Sequence, residues 1–372
     1  MCTSLNYTNA DGAVFYGRTL ELSQELPYQV TYFPPGEKFQ SAVTGGPPLS
    51  YTSMHGMVTI TMPDRIPTKD SPLQIDDFKI MEGLNDQGLT FSLLAYPSST
   101  AGKDKLAITR QVLSAIDLGS WVLSQFSNVG DVKAALAEQT VALAPLPVLG
   151  GKVPPFHWVV HDRAGASIVL EFDQGALSVH DNPVGVMTNG PDFNWHLTNL
   201  NNYTFLNNRD QSSGQFGSLK VHQPDSGIAT VGLPSSETSV GRFVRAVYYS
   251  EYAEKVSNPD ASLRTLAHIM NNFDRPKGIT IDAVEEKGEG LDLSSFGENG
   301  AQFTTEYTSW TSLSDLNRTQ LHIRTYENLN FTMLDLQRLA AANGVRMLSL
   351  SALDQSGSDS TDLLLNAKPP GA

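Results

Sequence analysis

The sequence predicts one α+β domain, built as stacked β-sheets covered by helical layers. Three observations lead there. β-like segments stand at both ends of the chain, helical spacing is grouped between them, and no repeat of solenoid period occurs. The 372 residues are 40% hydrophobic and 17% charged, enough apolar material for a single large core.

Residues 2–20 read as a hairpin, with weak alternation over 3–8, the turn cluster Asn9-Ala10-Asp11-Gly12, and a second strand over 13–18. This returns the residues after Tyr16 to the side of Cys2. Residues 24–55 are loop-rich, with Pro27, Pro34-Pro35 and Gly45-Gly46-Pro47-Pro48, and suit the border of a pocket. A short strand over 57–61 precedes a proline-broken surface excursion over 63–77. Residues 81–94 read as strand, tight Asn85-Asp86-Gln87-Gly88 turn, strand.

Helical spacing follows over 109–126 and 130–139, with Val112, Leu113 and Ile116, then Val132 and Leu136, as apolar stripes. Asn128 and Asp131 are candidate caps. From 141 the texture is β again, with strands over 156–162 and 167–172 and near 177–179 and 184–187. A short helix is expected over 191–203, a Gly/Ser/Asn-rich loop over 204–232, and helices over 239–252 and 260–272. Residues 303–351 read as β. The polar, glycine- and serine-rich stretch 354–361 is expected to be mobile, so the domain is assigned to 1–352 and a flexible tail to 353–372.

Charge and cysteine usage narrow the function. Twenty-five basic against 39 acidic residues give a formal charge of −14, which argues against a nucleic-acid partner. A single cysteine excludes an intramolecular disulfide framework and a cysteine-rich zinc site. His157 and His161 flank a strand that separates them, so no metal site is expected, and no cofactor is implied. No apolar run is long enough for a transmembrane segment. The first residues lack the regions of a signal peptide, so the expectation is cytoplasmic, with a periplasmic location as the alternative if Met1 replaces an export signal.

The chemistry converges on Cys2. Removal of Met1 would give this residue a thiol and a free α-amine, the latter with a pKa of about 7.7–8.0. Nucleophile and general base then share one residue. The plain alternative is an accidental cysteine at a variable position. Arg18 and Glu21 follow the second strand of the hairpin and fall near Cys2. The guanidinium favours a thiolate, and the carboxylate can hold the α-amine. Their alternative is an ordinary surface pair. Asn189, at a strand–helix junction, can donate to an oxyanion or simply cap the next helix. Arg242 or Arg245 could enter the site from an otherwise apolar helix, or be solvated.

Together these residues, with Gly83-Leu84-Asn85-Asp86-Gln87-Gly88-Leu89, His157-Trp158, Ser167–Glu171, Thr188-Asn189-Gly190-Pro191, Asn199–Tyr203, Gly232-Leu233-Pro234, Arg242–Arg245 and Arg324-Thr325-Tyr326, stand in an order that resembles the choloylglycine hydrolase family. That family contains penicillin V acylases and conjugated bile acid hydrolases. The resemblance implies the four-layer αββα sandwich of N-terminal nucleophile hydrolases. It also implies cleavage of a small-molecule linear amide and a homotetramer aided by the 204–232 segment. By the same resemblance, Cys2 is the nucleophile, Arg18 its neighbour, Asn189 the oxyanion donor and Arg242 the second active-site arginine. Glu21 stands where the family usually has aspartate. The backbone N–H of Ala95 completes the oxyanion hole. Leu22 replaces a common aromatic and, with Ala95 and Arg242, contacts substrate. On this pattern a penicillin V-type acylase ranks first, then an N-acyl homoserine lactone acylase or a bile salt hydrolase. A catalytically silent amide-binding relative is the alternative if Met1 stays.

Overall fold

The computed structural model describes residues 1–41, 43, 46–99, 111–173, 175–283, 303–355 and 357–368. Two antiparallel sheets carry the molecule. Their strands are β1 (Cys2–Thr8), β2 (Val14–Leu22), β3 (Gln29–Phe33), β4 (Met57–Pro63), β5 (Phe78–Asn85), β6 (Thr90–Ala95), β7 (Phe156–His161), β8 (Ser167–Asp173), β9 (Ala176–Asp181), β10 (Val186–Met187), β11 (Tyr307–Asp315), β12 (Gln320–Thr325), β13 (Thr332–Asp335) and β14 (Arg346–Ser349). The smaller sheet has six strands, ordered β10-β1-β2-β11-β12-β13. The larger has eight, ordered β9-β8-β7-β6-β5-β4-β3-β14.

The sheets face each other, and helices cover their outer faces. Helices α1 (Leu118–Gln125) and α2 (Val129–Leu136) lie on the larger sheet. After the short α3 (Phe193–Asn199), helices α4 (Ser239–Tyr252) and α5 (Pro259–Met270) lie on the smaller. This is the expected αββα order. Close approach is made possible by glycine on the outer faces. A Cβ on Gly83 would stand 2.6 Å from Leu123 of α1, and one on Gly17 would stand 2.8 Å from Met270 of α5.

Strand alternation then decides what lies between the sheets. On β2, Tyr16 and Arg18 point inward, and Gly17 points to the helices. On β5, Gly83 meets α1, so Glu82 points inward. Trp158 and Trp310 are fully buried. Each large apolar side chain so removed from water contributes about 1.5–3 kcal/mol.

Several elements depart from expectation. The helix over 109–126 begins only at Leu118, and residues 109–110 lie outside the described residues. Before it, Leu113–Ser114 pairs in parallel with Val141–Ala142, and Ser114 N–H donates to Ser41 Oγ. Asn128 caps α2 by accepting from Asp131 N–H, so Asp131 is a first-turn residue and not the cap. The loop-rich 24–55 segment contains β3 and a hairpin of Lys38–Ser41 with Leu49–Thr52. Within 204–232, Ser213–Phe216 pairs with Leu219–His222 as an exposed hairpin.

Part of the supposed mobile tail is packed. Thr361–Leu365 is a helical turn with Leu364 fully buried, and Ser360 Oγ meets Thr332 Oγ1 at 2.7 Å. Polar composition hid one apolar anchor. Residues 356 and 369–372 of that tail lie outside the described residues.

Candidate active site

Cys2 opens β1 opposite Leu20 of β2, so the ladder places it two pairs from Arg18. Met1 prolongs the same ladder. Its amine donates to Glu21 O at 2.6 Å, and its carbonyl accepts from Glu21 N–H at 2.8 Å. The Met1 ammonium also lies 3.6 Å from Glu306. The Cys2 thiol is buried and in no disulfide among the described residues.

Arg18 is fully buried beneath it. Nη2 lies 3.6 Å from Cys2 Sγ and donates to the Leu93 carbonyl at 2.6 Å. Nη1 is 3.7 Å from Glu82 Oε2, an ion pair too long for a hydrogen bond. The guanidinium lies 4.5 Å from the centre of the Trp310 ring. Burial pulls its pKa down, but Cys2 and Glu82 together hold it above the usual arginine value. A fixed cation at hydrogen-bond range of a thiol favours the thiolate.

Asn189 follows β10, and its amide orientation is set by two donors on Oδ1. These are Cys2 N–H at 2.9 Å and Arg242 Nη2 at 2.7 Å. Nδ2 donates to Ala95 O at 2.7 Å and keeps its second hydrogen. The turn is itself braced. His157 Nε2 donates to Thr188 O at 3.0 Å, Nδ1 lies 3.0 Å from Glu171, and His196 Nε2 donates to Asn189 O at 2.9 Å. The Gly190–Pro191 bond that follows is cis.

Arg242, near the start of α4, is fully buried and bonded throughout. It donates to the Cys2 carbonyl, to Thr3 Oγ1 at 2.7 Å, to Asn189 Oδ1, and through Nε to Glu237 O at 3.0 Å. It does not line the cavity beside Cys2. These bonds brace the start of β1. Arg245 turns away, to Pro234, Ser236 and Glu237.

Glu21 borders the same cavity as Cys2 and Arg18, from the other face of β2. It stands three positions along from Arg18, which on a strand means opposite faces. Its carboxylate accepts from Thr308 Oγ1 at 3.2 Å, while Asn189 Oδ1 holds the Cys2 nitrogen. Burial raises the Glu21 pKa, opposed by Arg242 and the chain amine.

Ala95 ends β6. Tyr96 N–H donates to Pro155 O on the β7 side, so alternation turns Ala95 N–H and C=O the other way, toward Asn189. β5 has ceased to pair with β6 beyond Ser92, which leaves that side open. Ala95 and Leu22 both line a cavity with about 650 Å³ of empty space, open to solvent. Its wall is chiefly apolar, with Leu20, Leu26, Met62, Met81, Leu146 and Phe156, and Cys2 and Arg18 lie at its base. Lys79 also borders it but is tied to Asp117 at 2.8 Å and Asp64 at 3.5 Å.

Glu82, Ser92 and Trp310 were not legible as site residues. The available signal was a carboxylate at the inward register of a strand, beside a glycine that marks the outward one. The cavity residues from 146 to 149 come from a short 3₁₀ turn (Pro147–Leu149) with no motif of its own.

Comparison with known proteins follows this geometry. Residues 2–347 match the model of the linear amide C–N hydrolases of the choloylglycine hydrolase family. A conjugated bile acid hydrolase of Lactobacillus gasseri is 30% identical, over 76% of this chain and 85% of its own. A bile salt hydrolase/transferase of Clostridium perfringens is 27% identical over 91% of this chain and 93% of its own. Among solved structures, penicillin V acylase from Agrobacterium tumefaciens superposes with a TM-score of 0.74 at 20% identity, covering 99% of this chain and 98% of that one. A conjugated bile acid hydrolase variant from Clostridium perfringens gives 0.76 at 24% identity, covering 94% and 97%.

Proposed function

The chain belongs to the choloylglycine hydrolase family of linear amide C–N hydrolases, and from that premise we propose that Cys2, once Met1 is removed, is its nucleophile. The observation that carries this reading is the Cys2 thiol, 3.6 Å from the buried Arg18 guanidinium at the base of an apolar cavity.

The α-amine of Cys2 takes the thiol proton, and the thiolate attacks the amide carbonyl carbon. The free Nδ2 hydrogen of Asn189 and the Ala95 N–H receive the oxyanion. Collapse returns the proton to the amine product and leaves a thioester, which water then resolves. Arg242 and the Oδ1 of Asn189 keep the Cys2 nitrogen in register throughout. With Met1 in place that nitrogen is an amide and has no basicity. Its removal is the activating step.

The apolar wall suits the acyl half of the substrate. Leu22, Leu26, Met62 and Met81 offer no partner for hydroxyls, which favours a phenoxyacetyl or alkyl acyl group over a hydroxylated steroid. A penicillin V-type acylase is therefore the first reading, and an N-acyl homoserine lactone acylase follows. The bile salt hydrolase reading is favoured by the names of the sequence relatives. A homotetramer is part of the proposal. The exposed hairpin with Phe216 and Leu219 at its tip supports it, since large apolar side chains there invite a partner copy.

The test compares turnover of penicillin V, a glycine-conjugated bile acid and a long-chain N-acyl homoserine lactone, with intact mass to confirm loss of Met1. Cys2→Ser should lower the rate on the preferred substrate at least about 10³-fold. Equal turnover by the serine variant would remove Cys2 from the mechanism.

A further inference from the structure

We propose that Glu82 is a positioning residue that competes with the Cys2 thiolate for the single charge of Arg18, and so sets the pH at which the nucleophile becomes reactive. The inference rests on the reading of Cys2 as nucleophile and extends it to the opposite sheet.

The geometry is a buried line of polar groups crossing the space between the sheets. Cys2 Sγ and Glu82 Oε2 stand 3.6 Å and 3.7 Å from two different nitrogens of Arg18. Glu82 is completely buried, and its Oε1 has no hydrogen-bond partner among the described residues. Oε2 accepts from Ser92 Oγ at 2.5 Å, and Ser92 in turn meets Tyr16 Oη at 2.6 Å. The groups that face Glu82 are Arg18 and Tyr16 of β2, Ser92 of β6 and Ser312 of β11. Arg18 is the cation among them.

One cation thus serves two candidate anions in a dry space. Ionised Glu82 shares the Arg18 field and repels a thiolate, so both effects disfavour charge on Cys2. Neutral Glu82 leaves Arg18 to the sulfur. Burial pushes the Glu82 carboxyl up to about 7 against the opposing pull of Arg18, so the exchange falls in the working pH range.

Cys2 is the only cysteine, so the rate of iodoacetamide alkylation reads its thiolate directly and needs no substrate. Compared with wild type, Glu82→Gln should lower the pH midpoint of alkylation by about one unit, the scale expected for a buried charge that shares one guanidinium with the thiol. Gln keeps an acceptor for Arg18 and removes only the charge. Glu82→Asp, which retains the charge, should keep the midpoint near the wild-type value. Thermal melts and intact mass establish that each variant is folded and carries the same N-terminus. A Glu82→Gln midpoint that is unchanged or raised in folded protein overturns the proposal, since a purely structural role leaves the midpoint in place. Amide turnover by the same samples separates the two ideas. A shifted midpoint without hydrolysis of any tested amide supports the charge competition and counts against the acylase reading.

Discussion

Arg18 and Arg242 are both fully buried, both within reach of Cys2, and treated in opposite ways. Arg242 spends its donors on fixed protein oxygens, namely the Cys2 and Glu237 carbonyls, Thr3 and Asn189. Arg18 makes one short hydrogen bond, to Leu93 O, and its Nε and Nη1 have no hydrogen-bond partner among the described residues. A buried charge with unmet donors is costly to the fold. The difference makes Arg242 a clamp and, on the proposed mechanism, Arg18 the group held ready for charge that appears during reaction.

The largest effect should come from breaking the clamp. Arg242→Met leaves Asn189 Oδ1 and Glu21 without their cationic neighbour and frees the start of β1. Removing one partner of a buried charged network costs about 3–5 kcal/mol. Urea unfolding should show that loss, accompanied by a fall in activity. A variant as stable as wild type would mean that Arg242 is not the brace its hydrogen bonds describe.

Arg18→Met should show the reverse pattern. With the counter-charge gone, kcat should fall about 10²–10³-fold, the range for a lost electrostatic donor. Stability should suffer least near pH 5, where Glu82 is protonated and leaves no unpaired charge behind. Single-turnover kinetics and urea melts at pH 5 and pH 8 check both halves. If Arg18→Met behaves like Arg242→Met, with stability lost equally at both pH values, the distinction between clamp and poised charge collapses.

The contrast also explains what was legible in the chain. The hairpin that returns Arg18 to Cys2 and the strand–helix junction at Asn189 follow from local signals, because a turn cluster and a capping residue each leave a mark on the sequence, whereas the four-layer order and the place of Ala95 came only with the family resemblance. Facing direction leaves a fainter one. Arg18 and Glu21 look like a pair by spacing, and only the two-residue period of a strand sends them to opposite sides of the sheet. Asn189 looked like a donor, and it is chiefly an acceptor here because Arg242 and Cys2 N–H both reach its Oδ1. Glu82 was invisible as a partner because its meaning depends on a residue 64 positions away, across two sheets. The helical turn at Thr361–Leu365 was missed for a similar reason, since one buried leucine outweighs a polar neighbourhood.

The smallest effect is also the sharpest in sign. The Glu82 pKa is raised in the folded state, from its ordinary 4.5 to about 7. The native state therefore binds the proton more tightly, and stability falls as pH rises through that window. His161 runs the other way. Its ring packs, tilted, against Tyr16 with centres 4.6 Å apart, neither ring nitrogen has a partner among the described residues, and burial lowers its pKa to about 3. Its contribution is present above the ordinary histidine value of 6.5 and is lost as pH falls toward 3. Glu82→Gln should match wild type near pH 4.5 and exceed it by about 3 kcal/mol at pH 8, the worth of a shift from 4.5 to about 7. Acid unfolding of the same variant should persist, because His161 still titrates. A stability difference that is flat between pH 4.5 and 8 would place the Glu82 charge outside the fold's electrostatics, and Arg18 would then be as fully compensated as Arg242.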